Sequence, residues 1–126
     1  MEEFEQLKRV YYDYTTELEV CQNITNNIRN EVIDRHELTV KLALSCMIEY
    51  FNKNKIECRY TNSFRYVIRK AIKHELITNK SAWKQIGLDY EADYTDEFDR
   101  LCYYKKVREQ YIPIIGEFIE KMSELN

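Results

Sequence analysis

Two glycines and one proline in 126 residues leave the backbone almost no residues that favour sharp reversals. A many-turned β fold needs several such positions, as do collagen and low-complexity chains, and 44% hydrophobic residues exclude a disordered polymer. The chain must run mostly in long elements that reverse rarely. Helices do so most simply, and no stretch alternates in polarity long enough to build a sheet.

Apolar positions support this. Phe4, Leu7, Tyr11, Tyr14, Leu18, Cys21 and on to Thr25 and Ile28 step by three and four, placing one seam on a first helix that reaches a turn near 28–31. Asn30 is suited to cap the next helix. That helix runs from Glu31 to Asn54 and is apolar on more than one face, which puts it at the centre. Ser63 caps a third helix with an apolar line from Phe64 to Leu76 and a basic outer face. A short fourth helix carries Trp83 and Ile86, weakened at its end by Gly87, and Asp89–Thr95 reads as an acidic loop. The last helix starts near Thr95 or Asp96 and continues to Leu125, with Pro113 bending it rather than ending it. The expected fold is all-α: one domain over residues 1–126, a five-helix antiparallel up-and-down bundle.

The N-terminus has no basic start followed by an apolar run, and Val40–Phe51, the richest apolar stretch, contains Lys41 and Glu49. A cytoplasmic protein without a membrane span is expected. Cys21, Cys46, Cys58 and Cys102 lack metal-type spacing and are expected to be buried, reduced thiols. His36 and His74 lie on different helices, outside any zinc-binding spacing, and no phosphate-cradling glycine loop exists. No catalytic residues, metal or cofactor are expected.

Net charge is −3, yet charge is segregated. Seven lysines and arginines lie between Lys53 and Lys73 against the single acid Glu57, whereas Asp89–Asp99 holds six acids and no base.

The segment Val32–Leu44, V-I-D-R-H-E-L-T-V-K-L-A-L, resembles the signature of the nucleotidyltransferase substrate-binding protein family, helical members of the HEPN superfamily. Further matches follow in order: V-I-R-K-A at Val67–Ala71, H-E-L-I at His74–Ile77, Ala82-Trp83, Y-T-D-E at Tyr94–Glu97 and Y-I-P-I-I at Tyr111–Ile115. The resemblance spans roughly residues 4–122. It departs at the signature's Phe and Trp positions, occupied here by His36 and Leu44.

The resemblance implies a homodimer that acts as the non-catalytic substrate-binding or regulatory subunit of a separately encoded small nucleotidyltransferase, in some cases as half of a toxin–antitoxin pair. Eleven tyrosines, more than such a core is expected to absorb, also point to an interface. Arg35 and Glu37 in the signature, Arg69 on the basic face, Trp83, and Asp93, Tyr94 and Asp96 in the acidic loop form the candidate partner- or substrate-binding set. Tyr94 is expected to be exposed.

The alternative is an RNA-binding or RNA-cleaving HEPN-type toxin with a degenerate motif. RNA is the less favoured partner, because relatives that cleave RNA carry R-x(4-6)-H before the last helix, and here Gly87 and Ala92 stand near those places. Arg69 and His74 fit by count, but five helical residues turn them about 140° apart.

Overall fold

A computed structural model describes residues 2–125. Helices α1 (Glu2–Val20), α2 (Asn26–Lys53), α3 (Phe64–Lys73) and α4 (Lys80–Glu91) precede a final helical rod made of α5 (Glu97–Lys106), a π-helical turn (Val107–Tyr111) and α6 (Ile112–Leu125). These five helices form the expected all-α bundle, with no strand among the described residues. No described helix is long and apolar enough to cross a membrane.

The expected α1 seam is buried from Phe4 to Leu18. The helix stops earlier than its periodicity suggests, because Thr25 caps α2 by accepting from the Ile28 N–H. The turn therefore falls at residues 21–25, and Thr25 and Ile28 belong to the second helix unit. Asn30 does not cap; it lies inside α2 and accepts from Arg100 Nε at 2.8 Å.

Helix direction follows from cross-contacts. Asn26 bonds Glu97, Asn30 bonds Arg100 and Glu37 bonds Tyr103, so α2 and the final rod run in the same sense. Trp83 packs against Phe118 while Asp89 meets Tyr111, so α4 runs opposite to that rod. α3 is antiparallel to α4, with Phe64 against Tyr90. Residues 54–63 bring the chain back along the bundle, so α2, α3 and the final rod share one sense and the expected antiparallel up-and-down order gives way between α2 and α3.

How does a chain so poor in glycine end its helices? At α2, the Ile56 N–H bonds the Phe51 carbonyl and Lys55 bonds Asn52; at α3, Leu76 bonds Ala71 and Glu75 bonds Ile72. Both are Schellman endings, and the residues in the left-handed position are Lys55 (φ 58°) and Glu75 (φ 60°), where glycine is the usual occupant.

Both glycines instead lie within helices at close contacts. A Cβ on Gly87 would stand 2.3 Å from Phe64 Cε1, and one on Gly116 would stand 2.6 Å from the Tyr11 hydroxyl oxygen. Gly87 does not weaken the end of α4, which continues to Glu91 and makes the first part of the expected acidic loop helical. Tyr11 uses the space above Gly116 to donate to the Ile112 carbonyl at 2.9 Å.

The chain stays helical through Pro113. Proline has no N–H for the carbonyl four residues back, and its ring presses on that carbonyl. The turn just before it is widened, and the Ile112 N–H reaches five residues back to Val107.

Five tyrosines (11, 14, 103, 104 and 111) are buried and four more are half-buried. One bundle thus accommodates most of the eleven, and the tyrosine count is no argument for a dimer. Only Cys46 of the cysteines is buried; Cys21 and Cys58 are half-buried and Cys102 is exposed, all as free thiols.

Candidate functional site

The densest polar arrangement is centred on Asp89. This residue continues the Trp83–Ile86 line of α4 at a spacing of three, so the stripe that buries the tryptophan also carries a carboxylate into the interior, where it is 3% exposed. Tyr94 donates to its Oδ1 at 2.6 Å, Tyr111 donates to its Oδ2 from the π turn, and Lys106 Nζ lies 3.4 Å from Oδ2. The carboxylate therefore joins three successive segments of the chain.

Around this knot lie aromatic rings and two further titratable groups. His36 is fully buried, stacks on Tyr111 with ring centroids 5.5 Å apart, and meets Tyr103 edge to face at 5.9 Å. Neither imidazole nitrogen has a hydrogen-bond partner, and burial pulls its pKa down to about 3, so the ring is neutral at ordinary pH. Tyr103 donates to Glu37 Oε2 at 3.0 Å; burial raises the Glu37 carboxyl above its usual range, partly offset by that bond. The bond to Asp89 and burial push Tyr94 up to about 12. Tyr103 and Tyr111 are raised further, foremost by burial. These hydroxyls keep their protons at neutral pH, so none is an activated nucleophile.

The acidic end adjoins the cluster. Asp96 caps α5 by accepting from the Phe98 and Asp99 N–H groups. Arg100 bonds the Tyr94 carbonyl at 3.1 Å as well as Asn30, holding the loop against α2. Phe98 is 70% exposed among the exposed carboxylates Asp93, Asp96, Glu97 and Asp99. It stands at a cavity of about 460 Å³ that includes Arg29, Arg100 and Leu101.

The candidate residues fall in separate places. Tyr94 is half-buried against Tyr103 rather than exposed, since its hydroxyl is directed to Asp89. Glu37 joins it in the cluster, while Asp93 and Asp96 lie on the adjacent surface. Arg35 pairs with Glu31 at 2.7 Å and lines a separate groove of about 350 Å³ between α1 and α2. Arg69 is exposed on α3. Trp83, 2% exposed, is a core residue that offers a partner no surface.

Sequence reasoning missed Asp89, His36, Tyr103, Lys106 and Tyr111. The available signal was an acid in phase with Trp83 and Ile86. Among the described residues, no three His, Cys, Asp or Glu side chains converge as metal ligands. The arrangement can hold a rigid proton-bearing network and present an acidic, aromatic surface. Comparison with family models, curated proteins and solved structures finds no match for the chain.

Proposed function

We propose that the chain is a non-catalytic substrate-binding or regulatory subunit of a small, separately encoded nucleotidyltransferase, docking it through the acidic end. The observation that carries this reading is Phe98, a large ring held exposed on a capped helix turn among carboxylates. Exposed aromatic rings ringed by charge are typical binding anchors, and the charges steer a basic partner toward them. Tyr94, Arg100 and Asn30 hold the surface rigid, which lowers the ordering cost of docking. The order of motifs that resembles the substrate-binding family supplies the identity of the partner. It also supplies the homodimer, which now rests on that resemblance alone.

The test is co-purification and calorimetry with a transferase that carries G-S-x-x-x-G and D-x-D motifs and is encoded beside this chain. Phe98→Ala should weaken the complex by about tenfold or more. Asp93→Lys with Asp99→Lys should weaken it further and make its salt dependence shallower. Asp96 is left intact because it caps α5. A transferase that does not bind at micromolar concentration, or binds all variants equally, rejects the reading. Light scattering that shows a monomer at high micromolar concentration rejects the dimer.

A further inference from the structure

Three basic residues from the middle of the chain share one outward face of α3. On α3, Phe64, Val67, Ile68 and Ala71 are buried, which turns Arg65, Arg69 and Lys73 outward as a line spaced by four. The return segment 54–63 meets the same helix at Tyr66: the Arg59 N–H bonds the Tyr66 hydroxyl at 3.3 Å, and the Tyr60 and Tyr66 rings form a T-shaped contact at 5.0 Å. Lys70 Nζ lies 6.0 Å from the centre of the Tyr66 ring. Tyr60 stays 61% exposed while in contact with Tyr66. The only acid between Lys53 and Lys73, Glu57, is engaged by Arg59 at 2.6 Å.

We infer that this surface binds single-stranded nucleic acid, with the Arg65, Arg69 and Lys73 line on the phosphates and the Tyr60 ring stacked on a base. A row of cations alone would suit any polyanion, including an acidic protein or an anionic membrane. The exposed Tyr60 ring, packed on the same helix as the row, favours a strand whose bases are free to stack, because every base has a π face and a duplex buries its own. The chain's overall charge of −3 makes the binding local to this patch. The inference is independent of the transferase reading: this surface starts at Tyr60 and follows α3, whose end packs on Phe51, whereas the acidic end lies beside Asn26 at the opposite end of α2.

Fluorescence anisotropy of the full chain with a labelled oligouridylate of roughly 20 nucleotides tests it. The strand should bind with an affinity that falls as salt rises, and the same strand in a duplex should bind more weakly. Tyr60→Ala should weaken binding by about fivefold or more, while Tyr60→Phe, which keeps the ring, should not. Arg65→Glu with Arg69→Glu should abolish binding and lower the salt slope of any residue that remains. Circular dichroism checks that these surface variants keep their helices. The inference is overturned by no binding at low salt, by equal affinity for polyglutamate or phosphatidylserine vesicles, or by indifference to Tyr60→Ala.

Discussion

Tyr111 donates its hydroxyl hydrogen bond to Asp89 from within a π-helical turn, so the one irregular stretch of the last helical rod is also where that rod meets the buried carboxylate. Asp89→Ala should cost about 2–3 kcal/mol, since it leaves two tyrosine hydroxyls and Lys106 without this acceptor. Tyr111→Phe should cost about 1–2 kcal/mol. Adding Tyr111→Phe to Asp89→Ala should change little, because the bond is already gone. Urea denaturation of the three variants measures the cycle; simple additivity would contradict a direct interaction.

His36 behaves as an aromatic ring whose polar edge has no use. His36→Phe should raise stability at neutral pH by about 1 kcal/mol, as it removes unbonded buried nitrogens while keeping the stack on Tyr111. The sign of the pH effect follows from protons bound. Between about 3 and the ordinary histidine value of 6.5, the unfolded chain takes a proton that folded His36 refuses, so stability falls as pH drops through this window. The full slope approaches roughly 1.4 kcal/mol per pH unit. Glu37, raised by burial, works in the opposite direction below neutrality. Melting the wild type and the variant from pH 7 to pH 4 should show a shallower decline for His36→Phe; parallel curves would exclude the histidine as the cause.

Lys55 and Glu75 occupy left-handed positions that burden any side chain with a Cβ. Lys55→Gly and Glu75→Gly should each stabilise the fold by about 0.5–1 kcal/mol, the reverse of the usual penalty for glycine near a helix. Thermal melts decide the matter, and a fall in melting temperature for both would contradict the strain.

Gly87→Ala should destabilise by about 1–3 kcal/mol although alanine is the better helix former, because the new methyl would overlap the Phe64 ring. Chemical denaturation gives the sign directly.

Much of the fold was legible because burial and helical spacing coincide: Phe4 to Leu18 in α1 and Phe64 to Ala71 in α3 are apolar where they pack. The α1–α2 turn was hidden because Ile28 continues the seam across it, and only the Thr25 hydroxyl contact distinguishes the true start of α2. Much of the candidate site could not be read along the chain. Asp89 looks like one acid among six, and its burial depends on Tyr111, 22 residues away, presented by a turn whose widening no periodicity announces. Tyr94 suffered the same way, since its flanks are polar and its partner is that concealed carboxylate.

Because α2 and α5 run in the same sense and begin side by side at Asn26 and Glu97, their macrodipoles point their positive ends at the same patch of surface. Each contributes about half an elementary charge, so the backbone supplies roughly one positive charge beneath the carboxylates around Phe98. That end is electrically quieter than its residue count suggests, and an approaching molecule meets a softened field with an apolar ring in the middle.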